Sequence, residues 1–300
     1  MPSRFRKGKV HTQLREQSLA YGILPKLMKR ILTAAVLVPF VVLTIFLGPY
    51  WLVTLVAALV AGLAAWELLT FLSVEPVQPP RIATMVAIAL LFAINFRWPD
   101  MLPASLGALS LALLAWCAFV LPMEKVATSA AHAVLALLYI GGTMLTLPML
   151  ISSEDGKSLV LLLLCCVWAG DITALYVGQS IGRHKMAPHI SPNKTWEGAV
   201  GSLGGSMLIA AALFGLAALL NAHDLNMLLY PGPLLRWLFL AALVNVAAQA
   251  GDLVESALKR SVGVKDSGNL LPGHGGVLDR IDALLLAAPI LWYAQLLQHI

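Results

Sequence analysis

Apolar residues run in long blocks along this chain, and the polar residues between them form short clusters. The blocks fall at residues 31–48, 51–72, 82–97, 102–121, 126–150, 159–180, 198–220, 234–257 and 279–298. Most approach the ~20 residues a helix needs to cross a hydrocarbon core. Residues 82–97 are shorter and end on Asn95 and Arg97. The pattern predicts an all-α, polytopic integral membrane protein of about nine transmembrane helices. Composition agrees: 59% of residues are hydrophobic and 12% charged, about half the charged fraction of a soluble domain. The mean hydropathy is +0.84.

The placement of the basic residues sets the orientation. With a cytoplasmic N-terminus, seventeen of the 20 Lys and Arg residues fall on the cytoplasmic side, and only Arg97, Lys157 and Arg236 fall opposite. That is a strong positive-inside bias. It also supports nine spans, because one missed helix would invert every later loop. Residues 1–30 are polar and basic, and are expected to act as a topology determinant or to rest on anionic lipid. A cleaved signal peptide is not expected: the basic region is long and the apolar run after it lacks a small-x-small exit. Cys117, Cys165 and Cys166 lie inside predicted spans, where they are packing residues rather than a disulfide framework or zinc site.

After the basic segment the chain divides in two. Residues 31–150 carry five spans and few polar groups, and form a scaffold half. Glu67 is the exception there; beside Trp66, it is expected to snorkel or to make a structural hydrogen bond. Residues 151–300 carry four spans and nearly all the chemistry. Two polar clusters stand out in this half, and both face the cytoplasm.

The first cluster lies at the eighth and ninth spans. Asn245, Gln249, Asp252, Ser256 and Lys259 recur every three or four residues and share one helix face, with Glu255 beside them. Interhelical hydrogen bonding accounts for Asn245 and Gln249. It does not account for Asp252 and Glu255, which repel unless a cation lies between them. The ninth span opens with Asp279, Arg280 and Asp282. Carboxylates from two helices at a membrane boundary suit Mg²⁺, which takes oxygen ligands and completes its shell with water and phosphate. Lys259, Arg260 and Lys265 suit phosphate. Pro272, Gly273, His274, Gly275 and Gly276 form a loop of little bulk leading to a helix N-terminus, a place that attracts anions. His274 is open as a ligand, an acid or a hydrogen-bond donor.

The second cluster follows the sixth span, which holds Asp171 deep in an apolar run, either as a functional group or as a carboxylate paired with a base. After it come Arg183, His184, Lys185 and Lys194. Ser191 followed by Pro192 predicts an N-cap and a helix starting there, with Glu197 one turn further in. Gly198, Gly201 and Gly205 are expected to permit close helix packing. No Walker A motif, dinucleotide fingerprint or nucleophile elbow is present.

These residues resemble a known family. Ser256-Ala257-Leu258-Lys259-Arg260, Lys265-Asp266-Ser267-Gly268 and Pro272 through Asp282 (PGHGGVLDRID) look like the signature of the phosphatidate cytidylyltransferases, or CDP-diacylglycerol synthases. Trp168-x-x-Asp171, Gly182-x-His184-Lys185 and Ser191-Pro192-x-Lys194-Thr195-Trp196-x-Gly198 agree with it. The likeness covers residues 165–290. The sequence departs from the pattern at Leu175, where Tyr is frequent, and at Asn193, where Lys is frequent, which bears on the lipid acceptor more than on the reaction.

The resemblance implies transfer of a cytidylyl group from CTP to phosphatidic acid with a divalent metal, Mg²⁺ with room for a second cation. It implies Asp252 and Asp279 as metal ligands, joined by Asp282 or Asp171. Charge alone assigns Lys194, Lys259, Arg260, Lys265 and Arg280 to phosphate. Ser191, Thr195, Glu197, Ser256, Gly275 and Gly276 are the further substrate-side candidates, with His274 among the catalytic ones. A homodimer, a bacterial inner-membrane location and a site facing the cytoplasm follow from the family or the charge pattern; no nucleic-acid partner is expected. The competing readings are a paralogue acting on another lipid phosphate, an ion-coupled transporter using Asp171 and Asp252, and a non-enzymatic scaffold.

Overall fold

Each apolar block becomes a helix because a backbone in hydrocarbon must satisfy its own N–H and C=O groups. The computed structural model describes residues 39–73, 79–270 and 275–297. Within them nine helical segments follow one another: α1 (residues 39–47), α2 (Tyr50–Phe71), α3 (Arg81–Arg97), α4 (Leu102–Val120), α5 (Met123–Ile151), α6 (Gly156–Ile181), α7 (Trp196–Ala222), α8 (Leu234–Ser261) and α9 (Leu278–Leu296). Six of these, α2 and α4–α8, are long and apolar enough to cross a bilayer. α3 has 17 residues, and α9 opens on Asp279, Arg280 and Asp282. The basic segment 1–30, the start of the first span and His274 lie outside the described residues.

Large apolar side chains face outward along the whole bundle, among them Leu47, Leu59, Phe119, Leu208 and Phe239. That surface fits lipid rather than water. Inside, two apolar clusters form. One joins α6, α7 and α8 to the later turns of α9, through Trp237, Leu240, Val244, Ala287 and Leu291. The other joins α2, α3 and α5 to the first turns of α9, through Leu68, Leu91, Leu137, Leu278 and Leu285. α9 therefore belongs to both clusters, and its acidic start is held from two sides.

Between lipid-soluble helices there is little hydrophobic drive, so close approach and polar contacts do the joining. Asn245 Nδ2 on α8 donates to the hydroxyls of Ser202 and Ser206 on α7, each at 2.8 Å. Gln249 Nε2 donates to Asn245 Oδ1 at 2.6 Å and to the Ala199 carbonyl at 3.2 Å. A methyl at Gly201 would run into Val177 of α6, and one at Gly205 into Thr173. At the crossing of α8 and α9, a Cβ on Gly251 would lie 2.5 Å from the Asp282 carbonyl. The two helices meet there backbone to backbone.

The loop between α6 and α7 departs from expectation. Ser191 does not cap a helix: Ser191–Thr195 is a strand, β2, paired antiparallel with Lys185–Ala187, β1. Ladder pairing takes up the backbone that a helix from Ser191 would have used, and Pro192 is tolerated because the strand is at an edge. The cap is Thr195, with φ −126° and ψ 152°, whose hydroxyl accepts from Gly198 N at 3.2 Å. Thr195→Ala is expected to cost about 1 kcal/mol, read as a lower melting temperature of the detergent-solubilised protein; an unchanged melting temperature would count against the cap.

Candidate functional site

Helix geometry puts residues 252, 255, 256 and 259 on one side of the last turns of α8. α9 returns antiparallel along that side, so its first turn faces them. The result is a ladder of charges along one seam, lying at the same end of the bundle as the hairpin β1–β2.

At the inner rung, Asp252 receives Lys194 Nζ from β2 at 2.5 Å and the Ser256 hydroxyl at 3.3 Å. Asp282 lies across the Gly251 crossing, with Asp252, Glu255 and Asp171 all within electrostatic reach. One Asp282 oxygen accepts from Ala283 N at 2.8 Å. A cavity of about 380 Å³ opens beside this rung, lined by Asp171, Asn193, Lys194, Gln249 and Asp252 and bordered by Leu175. Leu175, Ile172 and Tyr176 are exposed on the outer face of α6, as is Asp171, so the cavity borders the outer surface of the bundle.

At the outer rung, Lys259 is buried and pairs with both Glu255 and Asp279, the latter at 2.7 Å. Glu255 is wholly buried. Asp279 also accepts from Ser267 N and Gly276 N, both at 3.1 Å. In the sequence reading Asp279 and Asp252 share one cation. The structure sets Asp279 further out along the seam, with its oxygens engaged by an ammonium and two backbone donors.

The loop residues owe their position to a side chain from the first half of the chain. Glu67 on α2 is buried, and its Oε2 accepts from the Ser267 hydroxyl at 3.0 Å and from Leu278 N at 2.9 Å. Glu67 therefore does not snorkel; it sits under the signature loop. A Cβ on Gly276 would collide with Ser267 Oγ and lie 2.5 Å from Glu67 Oε2. Gly275 has φ +83°, a conformation costly for other residues. Both glycines are explained by the loop's path around the two carboxylates.

The remaining candidates have other partners. Glu197 accepts from Arg183 N and His184 N and pairs with His184 Nδ1 at 2.6 Å, tying the start of the hairpin to α7. Arg260 donates to the carbonyls of Ile190 at 3.3 Å and Val264 at 2.9 Å, fastening the hairpin turn to the end of α8. Lys265 and Arg280 are exposed, and Ser191 is half-buried in β2. The structure thus brings together Asp171, Lys194, Thr195, Asp252, Ser256, Lys259, Asp279 and Asp282, with Gly275 and Gly276 against them.

Among the described residues, no three His, Cys, Asp or Glu side chains form a ready-made metal cage. The donor chemistry still fits a hard cation. Asp171, Asp252 and Asp282 present carboxylate oxygens from three helices, and the only described base at that rung is Lys194. Asp279 stands on the outer rung, paired with the Lys259 that also pairs with Glu255, as Asp252 is paired with Lys194 on the inner one.

The sequence comparisons can be set beside this geometry. The cytidylyltransferase family matches residues 28–297. A phosphatidate cytidylyltransferase from Brucella abortus biovar 1 (strain 9-941) is 44% identical over 159 residues, which are 52% of this chain and 54% of that protein. One from Bacillus subtilis (strain 168) is 43% identical over 145 residues, 48% of this chain and 50% of that protein. In these alignments the chain spans about half the length of its relatives. With a phosphatidate cytidylyltransferase from Pseudomonas aeruginosa PAO1 the alignment runs 279 residues at 35% identity, covering 89% of this chain and 98% of the relative. A signature folded into one charged seam, and a family match that takes in both halves of the bundle, place this chain in the cytidylyltransferase family.

Proposed function

We propose that this protein transfers a cytidylyl group from CTP to phosphatidic acid, releasing pyrophosphate and leaving CDP-diacylglycerol in the membrane. The observation that carries the reading is the α8–α9 seam, where carboxylates pair with lysines beside a cavity that Asp171, Lys194 and Asp252 line and that borders the exposed face of α6. A phosphate monoester oxygen of the lipid attacks the α-phosphorus of CTP. The new P–O bond forms as the bond to the β-bridging oxygen breaks, and pyrophosphate departs with that electron pair. The nucleophile is already anionic, so no strong base is required. The work is to hold two anions in line and to stabilise charge on the leaving group.

Lys194 reaches into the cavity and is the base best placed for phosphate. Lys259 pairs with both Glu255 and Asp279 and so bridges α8 to α9 at the outer rung. Asp252, Asp282 and Asp171 would hold Mg²⁺, which supplies positive charge to phosphate oxygens when bound. The exposed α6 face beside the cavity lets acyl chains stay in the bilayer while the headgroup reaches the seam. The basic residues Arg81, Arg183, Lys185, Lys259, Arg260, Lys265 and Arg280 all fall at the site end, which supports a cytoplasmic site in a bacterial inner membrane. The homodimer is carried over from the family resemblance.

The test is full-length protein with CTP labelled at the α-phosphorus, phosphatidic acid and Mg²⁺, followed by lipid extraction. Label is expected in the organic phase. Folded protein that transfers label to no phospholipid overturns the reading, and label on a different lipid phosphate in preference to phosphatidic acid reassigns the acceptor.

A further inference from the structure

A groove runs down the outside of the first half of the bundle. It has a volume of about 800 Å³ and lies between α3 and α4, with Trp66 of α2 at its head. Val86 and Leu90 of α3 line one side, and Leu113 and Trp116 of α4 the other. The two helices are antiparallel across the short turn Pro99–Met101, so Arg81 opens α3 at the end where α4 closes. Glu67, the next residue after Trp66, reaches Ser267 of the signature loop, which sets Arg81 at the seam end of the bundle. From Arg81 to Leu90 the helix rises about 13 Å, close to one leaflet of a hydrocarbon core about 30 Å thick.

Arg81 is the one charged residue among the described residues that line the groove. Its Cζ lies 5.5 Å from the centre of the Trp66 ring, and its Nη2 donates to Ser73 Oγ at 3.0 Å. These contacts hold the guanidinium at the mouth without neutralising it. Among the described residues no carboxylate pairs with it. A guanidinium carries several N–H donors in a planar fork that fits a phosphate, and one of them goes to Ser73. Trp66 and Trp116 are exposed near the ends of their helices, where amphipathic rings sit between headgroups and chains. Below Arg81 the lining side chains are aliphatic or aromatic. A soluble phosphate would meet one charge and nothing further, whereas an acyl chain would be covered along its length. A second copy of the chain would have to bring a carboxylate to this depth, which is unfavourable. A zwitterionic lipid would set its own cation beside Arg81.

We propose that this groove seats one anionic glycerophospholipid of the leaflet at the seam end, its phosphate on Arg81 and one acyl chain between α3 and α4. No seam residue lines the groove, so the site is separate from the one proposed for transfer and needs no reaction there.

The experiment places full-length protein in phosphatidylcholine nanodiscs with a minor share of a probe lipid that carries a photoreactive diazirine on one acyl chain. The probe is phosphatidylglycerol or phosphatidylcholine, and cross-linked peptides are mapped by mass spectrometry. On residues 82–90 and 109–116, label from phosphatidylglycerol is expected to exceed that from phosphatidylcholine about 10-fold, the worth of one charge-assisted hydrogen bond. Arg81→Gln should abolish the preference and leave the phosphatidylcholine label. Arg81→Lys, which keeps the charge without the fork, should retain part of the preference. Lys185→Gln removes the same charge from exposed β1 and should leave the preference intact, which a general attraction of the basic surface for anionic lipid would not. Ala112→Phe fills the groove with Arg81 in place; it should cut labelling by both probes, and it serves if Arg81→Gln does not fold. Equal label from the two probes in wild type, or labelling that Arg81→Gln and Ala112→Phe leave unchanged, overturns the proposal. Cross-linking of these residues to a second copy of the chain in place of lipid overturns it as well.

Discussion

Asp252→Asn is expected to lower cytidylyl transfer about 10³-fold, the upper range for removing one preorganised charged group from an active site. Asparagine fills the same space but cannot neutralise Lys194, which approaches Asp252 at 2.5 Å. It also removes one of the carboxylates gathered at the α8–α9 crossing, where Asp282 is its neighbour. Both losses fall on the rung that borders the cavity. Lys194→Met should act differently: it leaves the carboxylates and removes a phosphate contact, so the KM for CTP should rise more than kcat falls. Because the two side chains share one contact, the double variant should lose less than the product of the single losses. Asp100→Asn, in the short turn before α4, is the control and should match wild type. Label transfer by Asp252→Asn at more than a tenth of the wild-type rate would remove this rung from the chemistry.

Much of this arrangement was legible in the order of residues, for physical reasons that differ by element. The helices could be read because hydrocarbon leaves the backbone little choice, and their ends follow the polar clusters to within about a turn. The seam could be read because Asp252, Ser256 and Lys259 repeat at helical spacing and Asp279 and Asp282 open the next span. The hairpin could not. Ser191-Pro192 has the chemistry of a helix start, and only the pairing of β2 with Lys185–Ala187 decides otherwise. Arg260 is another case. Charge alone suits it to phosphate, yet its donors go to carbonyls of Ile190 and Val264, contacts that depend on where a distant loop returns. The π turn that interrupts α5 at Leu137–Gly142 leaves no mark on hydropathy, since Leu137, Ile140 and their neighbours are apolar in either helix type.

Glu67→Ala is expected to lower transfer about 100-fold, the loss that an ångström of misplacement at a reacting centre can produce, although Glu67 borders no cavity lined by the predicted ligands. Its Oε2 is the shared acceptor for the Ser267 hydroxyl and Leu278 N. Those two donors flank the signature loop, and Ser267 in turn contacts Asp279 through both its N–H and its hydroxyl. Without the carboxylate, two buried donors lose their partner, at about 1–3 kcal/mol each, and Asp279 loses the scaffold that aims it at Lys259. Glu67→Gln keeps the size and one acceptor oxygen, so it should recover a large part of the activity. Gly276→Ala should resemble Glu67→Ala, because its methyl would take the space of Ser267 Oγ and crowd Glu67 Oε2. Limited trypsin digestion separates this route from damage at the reacting groups. Cleavage after Lys265, next to the loop, should be faster in Glu67→Ala and Gly276→Ala and unchanged in Asp252→Asn. If Glu67→Ala were inactive with wild-type cleavage at Lys265, the carboxylate would be acting on the chemistry directly rather than by holding the loop.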